Sequence, residues 1–220
     1  QNAQILIMNT SAQKNELIFN YSSGALGEAK SLLVSTYLYL NTLASKKASI
    51  FDNILADNFA DIEDVAPKKI NFKDCIDTSN VPKRDSDTFI DSQINPLTNV
   101  TGSLDKLNWK SVYKGFKEFT LPMKDDDSIK LIQMDPGTSV PLHSHNGKEY
   151  ILVVEGSFND EYGEYKKGDL QINDQKIKHH PSASNKDGCI CLSITEREVI
   201  FFGKFASLLN LVTFLKSFFK

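Results

Sequence analysis

The sequence predicts a mainly β protein, a jelly roll or small barrel, with a small helical module before the barrel and an amphipathic helix after it. The spacing of the apolar residues supports this prediction. They recur every three or four positions from residue 15 to 57, at alternate positions from 107 to 202, and on one helical face from 203 to 220. A composition of 40% hydrophobic and 24% charged residues fits a globular chain of 220 residues.

Residues 1–58 are predicted to form the helical module. Its apolar positions follow a helical period: Leu33, Tyr37, Leu40, Ala44, Ile50, Phe51 and Ile54. The run SSGALGE at residues 22–28 predicts a break before the second helix. A helical hairpin of this size has too little core to be stable alone, so we expect it to pack against the rest of the chain or a partner.

Residues 59–105 are predicted to be a polar connector. The segment is rich in Asp, Asn, Ser, Thr and Pro, and its apolar residues follow no sustained period. We therefore expect an extended or loosely ordered chain.

Residues 106–202 are predicted to form the β domain. Short runs rich in β-branched and aromatic residues alternate with Gly, Pro, Asn and Asp, and the runs are SIKLIQM, EYILVVEGSF, GDLQI, CICLSI and EVIFF. Seven or eight such strands suit a jelly roll or small barrel.

Residues 203–220 are expected to form a helix that docks on the barrel or a second subunit. Polar residues interrupt its apolar face, so a membrane span is not expected.

Charge and cysteine content narrow the classes of partner and compartment. The formal net charge is −3, so direct binding to nucleic acid is not expected. The opening residues lack the features of a secretory signal. Three cysteines, Cys75, Cys189 and Cys191, argue against a disulfide framework and favour the cytoplasm. Cys189 and Cys191 share one face of a strand, where we expect core packing, with a redox or ligand role as the alternative.

The segment PGTSVPLHSHNGKEYILVVEGSF predicts a metal site. His143 and His145 point to the same face of a strand because they are two residues apart, and Glu149 follows at the start of the next strand. His179 can complete the set from a neighbouring strand, with the adjacent His180 as the alternative. Three imidazoles and one carboxylate suit a divalent metal, and Zn²⁺, Fe²⁺, Mn²⁺, Ni²⁺ and Cu²⁺ are all compatible with this set.

Two further acidic residues, Asp160 and Glu161, look like a pair of carboxylates. They lie in a hairpin beside Gly163, so we expect a solvated turn rather than a functional pair.

The spacing Gly-x5-His-x-His-x3-Glu-x6-Gly, followed by Gly-x10-His, resembles the two motifs of the cupin superfamily. The resemblance implies a cupin jelly-roll barrel with His143, His145, Glu149 and His179 as its metal ligands. The second motif departs from the family pattern, because Asp174, Lys176 and Ala183 replace its usual Pro, Gly and Asn.

Nearly the whole chain resembles the ChrR family of cupin anti-sigma factors. The similarity lies in NELIFNYSSGALGEAKSLLVSTYLYL, GSFNDEYGEYKKGD, HHP and GCICLSI, and in the order of the segments. The resemblance implies that the helices bind an ECF-type sigma factor, and that a zinc-binding cupin domain releases it under oxidative stress. The family's helical zinc motif is replaced by Tyr37, Asn41 and Ala44, so no zinc is expected in the helical module.

We therefore predict a ChrR-like transcription regulator with one divalent metal, Zn²⁺ first, and an ECF-type sigma factor as its partner. The predicted sigma-binding face consists of Leu33, Leu40, Leu43, Ile50 and Ile54, and the alternative is that this face packs on the cupin domain or on a second copy. No membrane contact is expected, and a homodimer through the cupin domain is compatible with the sequence.

The alternative functions are a metal-dependent cupin enzyme such as a dioxygenase and a small-ligand-binding cupin. The short stretch between the motifs, residues 156–168, leaves little chain for a substrate lid and disfavours the enzyme.

Overall fold

The structure is a computed structural model, and it describes residues 2–59, 95–123, 128–203, 206, 207 and 210. Cys75 and most of the predicted connector lie outside the described residues. The same is true of most of the predicted C-terminal helix, of which Ala206, Ser207 and Asn210 are described and are helical.

Three helices form the N-terminal part of the chain: α1 (Asn2–Ser22), α2 (Glu28–Leu40) and α3 (Thr42–Phe59). The predicted break after Ser22 is confirmed, but the prediction of a two-helix hairpin is wrong. Asn41 causes the second break, because its backbone is extended between α2 and α3. Its side-chain oxygen then accepts a hydrogen bond of 3.0 Å from the Ala44 amide and caps α3.

A fourth helix, α4 (Pro96–Thr101), lies within the segment predicted to be loosely ordered. The Asn95 side chain accepts a hydrogen bond from the Leu97 amide, and Pro96 occupies the first turn, where its missing N–H costs nothing. Leu97 is fully buried. The prediction of a loosely ordered connector is therefore wrong for these residues. The Asn95-Pro96 pair is the local sequence feature that indicates the start of this helix.

The described residues contain ten strands, and the five predicted runs all fall on them. In chain order the strands are β1 (Lys110–Tyr113), β2 (Phe116–Thr120), β3 (Ser128–Met134), β4 (His143–His145), β5 (Glu149–Asp160), β6 (Gly163–Lys166), β7 (Leu170–Asn173), β8 (Ser182–Ala183), β9 (Cys189–Thr195) and β10 (Val199–Phe201). The main antiparallel sheet has the order β1-β2-β3-β9-β5-β6, and β7 and β8 also pair with β5. Strands β4 and β10 pair separately.

The two faces of the main sheet have different partners. On β9, Leu192 and Ile194 belong to the same core as the helices, whereas Cys189 and Cys191 point to the opposite side and pack with Val153 and Phe158. This alternation follows from the period of two in a strand. The inward side is closed over by β4, β8 and β10, and isolated bridges link residue 139 to 182 and residue 143 to 179.

The fold is the predicted mainly β, cupin-like jelly roll with N-terminal helices. Within the described residues the hydrogen-bonded ladder stays open and does not form a complete ring. None of the helices in this part of the chain has the length and apolar character needed to cross a membrane.

The helices pack directly on the outer face of the sheet. Leu33 and Val34 of α2 are fully buried in one core with Leu152 of β5 and Leu192 of β9. Two polar contacts join the same parts. The Asn41 side-chain amide donates to the Gly168 carbonyl at 3.0 Å, and Lys30 pairs with Glu196 at 2.9 Å. The expectation that the helices lean on the rest of the chain is confirmed.

Candidate metal centre

The four side chains predicted as metal ligands lie together inside the barrel. One ligand atom from each of His143, His145, Glu149 and His179 lies within 4.8 Å of the others. All four residues are buried, with exposures of 4%, 1%, 5% and 0% respectively. Within the described residues this is the one group of His, Cys, Asp and Glu placed to hold a metal ion.

The strands fix these positions through backbone hydrogen bonds. His143 and His145 are the two ends of β4, which pairs with β10 along its full length. Glu149 begins β5. His179 lies in the loop before β8, where its amide and carbonyl both bond to the backbone of His143 at 3.0 and 3.1 Å. Two predicted ligands from distant parts of the sequence are therefore held as a backbone pair.

Hydrogen bonds to the outer ring nitrogens orient two of the imidazoles. The Nδ1 of His143 lies 2.8 Å from the Pro141 carbonyl, and the Nδ1 of His179 lies 3.2 Å from Oδ2 of Asp160. Both acceptors lack hydrogens, so these contacts assign the proton to Nδ1 and leave the Nε2 lone pair for a metal. Metal-binding histidines in proteins have the same arrangement.

The inner atoms of the cluster have the character expected of an ion site. The Nε2 atoms of His145 and His179 lie 3.0 and 3.3 Å from Oε2 of Glu149. Neither makes a well-aligned hydrogen bond to it, and both are buried without another partner among the described residues. Buried polar atoms without partners are costly, and a cation bound between Glu149 and these two nitrogens would satisfy both nitrogens. The residues present therefore fit a divalent metal.

The electrostatics of the cluster also favour a cation. Burial lowers the pKa of His143 to about 4, although the Glu149 carboxylate partly offsets it. Burial also disfavours the charged form of His179, but the Asp160 and Glu149 carboxylates outweigh this effect and raise its pKa to about 9. Burial raises the pKa of Glu149, yet the adjacent imidazoles hold that pKa well below its usual value. Glu149 is thus a buried anion that requires a positive neighbour.

Three polar residues around the cluster were not predicted from the sequence. Asn173 donates to Oε2 of Glu149 at 3.1 Å, and Gln171 donates to Oδ2 of Asp160 at 2.7 Å. Asp160 itself has a fully buried side chain, so the prediction of a solvated turn is wrong for this residue. The sequence of β7 could have predicted the two amides, because apolar and amide residues alternate along this strand. Leu170 and Ile172 pack in the helix-facing core, which leaves the two amides on the other face.

The remaining candidates from the sequence fall outside the cluster. His180 is exposed and bonds through its backbone, so His179 is the histidine that joins the cluster. Cys189 and Cys191 are buried and lie with their sulfur atoms 4.0 Å apart. Their mutual contact and their burial raise the pKa of Cys191 well above its usual value. Both pack in the inner apolar core, as expected.

The fold and the cluster agree with the comparisons to known proteins. Residues 98–197 match the family model of the ChrR cupin-like domain. This part of the chain is therefore similar to a ChrR cupin-like domain. It is 29% identical over 192 residues to the anti-sigma-E factor ChrR of Cereibacter sphaeroides, and the alignment covers 84% of this chain and 89% of that protein. The crystal structure of Rhodobacter sphaeroides SigE in complex with the anti-sigma ChrR matches with a TM-score of 0.68 at 28% identity. That match covers 82% of this chain and 96% of the other.

The helical module has apolar and amide contacts at Tyr37, Asn41 and Ala44, the positions where the sequence predicts no zinc ligands. Tyr37 and Ala44 are buried in the core shared with the sheet. Asn41 caps α3 with its oxygen and reaches the Gly168 carbonyl with its nitrogen. These contacts fix the α2–α3 junction and attach it to the barrel.

Proposed function

We propose that this chain is an anti-sigma factor in which the helices sequester a sigma factor and the cupin domain acts as a metal-binding sensor. One observation carries this proposal. The alignment with ChrR covers 84% of the chain, which is much more than the cupin domain alone. The family model of that domain matches only residues 98–197. The helices therefore belong to the shared part, and the related structure is that of ChrR with SigE.

The proposed contact surface for the sigma factor is the exposed apolar stripe of α3. Leu43, Ile50 and Ile54 lie on one side of this helix and are 71%, 56% and 48% exposed. The opposite side, with Ala44 and Ala48, is buried. Three exposed aliphatic side chains in one stripe are typical of a surface that another protein covers.

The five-residue face expected from the sequence divides between two surfaces. Leu33 is fully buried, so the prediction that it contacts a partner is wrong. Leu40 is partly buried and packs against the core. The other three residues form the α3 stripe. The sigma factor is proposed to be of the ECF type, as the resemblance implies, and the complex is proposed to act in the cytoplasm. A homodimer through the cupin domain would use an exposed sheet edge such as β1.

The cupin cluster is proposed to hold one divalent metal, with Zn²⁺ as the first candidate. A bound Zn²⁺ would neutralise the Glu149 carboxylate and draw the three imidazoles to a single point. The burial of all four ligands favours a structural or sensory metal over one that receives a substrate. The sensory role is therefore preferred to that of a metal-dependent enzyme.

Co-expression with an ECF-type sigma factor from the same organism tests the proposal. We expect the two proteins to co-purify, and we expect the chain to inhibit transcription by that sigma factor. Ile50→Asp should weaken the complex because it places a charge in the centre of the stripe. Ser49→Asp is the matched control, since Ser49 is exposed on the same helix but outside the stripe. Absence of a complex with the unaltered chain would remove the anti-sigma function.

A further inference from the structure

The tight turn between β5 and β6 lies against the loop that carries His179. Three consecutive residues of the turn bond to three consecutive residues of the loop. Oδ2 of Asp160 accepts from Nδ1 of His179 at 3.2 Å, and Oε2 of Glu161 accepts from the His180 amide at 2.9 Å. The Tyr162 hydroxyl donates to the Lys178 carbonyl at 3.1 Å. The turn and the loop are 16 to 19 residues apart in sequence.

Asp160 is the centre of this contact because its two carboxylate oxygens accept four hydrogen bonds. Oδ1 accepts from the amides of Tyr162 and Gly163 at 2.8 and 3.2 Å, which closes the turn. Oδ2 accepts from the Gln171 amide at 2.7 Å and from His179. A carboxylate has about four acceptor positions, and all four are occupied by N–H donors. The same side chain therefore shapes the turn and orients the imidazole.

We propose that the turn formed by Asp160, Glu161 and Tyr162 is a clamp that positions His179 as a metal ligand, with Asp160 as the positioning residue. This inference rests on the metal site proposed above. Glu161 and Tyr162 fix the backbone of the loop on both sides of His179. Asp160 fixes the ring itself, because it requires the proton on Nδ1 and so directs the Nε2 lone pair toward Glu149.

The chemistry of an amide explains why asparagine cannot replace Asp160. All four contacts of the carboxylate come from donors, whereas an amide has only one oxygen and presents N–H groups on its other side. Asp160→Asn must therefore place a donor against the turn amides or against Gln171 and His179. In the second arrangement His179 accepts at Nδ1 and carries its proton on Nε2, where a metal would bind.

The test measures Zn²⁺ affinity by competition with a chromophoric chelator, and the coordination of Co²⁺ by its visible absorption spectrum. We expect Asp160→Asn to weaken Zn²⁺ binding about 10- to 100-fold and to change the Co²⁺ spectrum. Glu164→Gln is the matched control, because it makes the same chemical change at an exposed position on the same hairpin. It should leave both measurements unchanged.

Tyr162→Phe provides a second test that does not depend on a buried substitution. It keeps the ring and removes one hydrogen bond, so we expect a loss of about threefold in affinity. Equal affinity and equal Co²⁺ spectra for Asp160→Asn, Tyr162→Phe and the control would overturn the clamp while leaving the metal site intact. A chain that binds neither metal before any substitution would instead refute the metal site on which the clamp rests.

Discussion

At the scale of single residues, each histidine near the metal site is fixed by what its outer nitrogen or its backbone contacts. His143 bonds to the Pro141 carbonyl, and His179 bonds to Asp160, so each presents Nε2 to the centre. His180 follows directly in the chain, yet its side chain is exposed and takes no part in the cluster. Neighbouring histidines thus have different roles because adjacent residues in an extended chain point in opposite directions.

The first prediction compares these histidines. His143→Ala removes one of the four predicted ligands, so bound metal should fall by at least about tenfold. His180→Ala, a change of the same size at the surface, should leave the metal content unchanged. Elemental analysis of the two purified variants and the unaltered chain provides the measurement. Equal metal in His143→Ala and the unaltered chain would contradict the assignment of this ligand.

The sequence predicts the four ligands but not their supporting residues, for a physical reason. For three of them local spacing is enough, because His143 and His145 share a face of the strand and Glu149 follows after a turn. His179 is identified by the Gly-x10-His spacing of the cupin-like motif. Asp160 meets His179 only because the chain folds back across 19 residues. No periodic pattern encodes that contact, and a hairpin Asp-Glu pair in isolation is typical of a solvated turn.

At the scale of elements, the junction of α2, α3 and the barrel depends on a close approach at Gly168. The Leu40 carbonyl oxygen would lie 2.9 Å from a Cβ at this position, and Gly168 has a φ of +87°. Gly168→Ala therefore combines an unfavourable backbone conformation with a contact against rigid backbone. The sequence alone shows this glycine only as part of a cupin-like motif, because Asn41, which directly follows α2, is 127 residues away along the chain.

The second prediction separates these two costs. Gly24 also has a positive φ, of +71°, but a Cβ at this position would have no atom within 4 Å, so Gly24 serves as the control. Gly24→Ala should destabilise the chain by about 1 kcal/mol, the usual cost of the left-handed conformation. Gly168→Ala should cost more, because the end of α2 must also move. Urea denaturation of both variants measures the free energies of unfolding. Equal losses of stability would show that the close contact with the Leu40 carbonyl adds no cost.

Another element-scale contact, around Glu196, gives a pH-dependent prediction. Its carboxylate accepts from Lys30 at 2.9 Å, from the Lys148 amide at 3.1 Å and from the Tyr150 hydroxyl at 3.2 Å. Burial raises the pKa of Glu196, but these donors, Lys30 first, outweigh burial and lower it below 4.5. A lowered pKa in the folded state adds stability above the unfolded pKa, and that stability is lost as pH falls through the folded value.

The third prediction therefore concerns Glu196→Gln. At pH 7 it should reduce the free energy of unfolding by about 0.5 kcal/mol, a modest value because the pair is partly exposed. The difference from the unaltered chain should shrink below about pH 4.5, where Glu196 becomes protonated on unfolding. Urea denaturation across this range is the measurement, and Glu164→Gln is the exposed control. A difference that stays constant with pH would mean that the Glu196 charge does not stabilise the docking of α2.

At the scale of the whole molecule, the helices and the barrel share one apolar core. Leu17 and Leu33 from the helices pack in the same cluster as Leu152, Leu170 and Ile194 from the sheet. The sequence predicts that the helices need a partner surface because their own core is small, but it does not specify the surface. The exposed α3 stripe and the buried α2 face have similar apolar spacing, and only the packing distinguishes the docking face from the exposed one.

The last prediction concerns the isolated helical segment, residues 1–60. Separated from the barrel, it loses the core that Leu33 and Val34 share with Leu152 and Leu192 of the sheet. At about 25 cal/mol per Å² of apolar surface, this loss is large relative to the stability of so small a unit. We expect the segment to lose most of its helical circular dichroism signal and to bind no Zn²⁺, because Tyr37, Asn41 and Ala44 offer no zinc ligands. The intact chain should bind one metal ion. A segment that retains stoichiometric zinc, or that unfolds cooperatively by itself, would show that the module does not depend on the barrel.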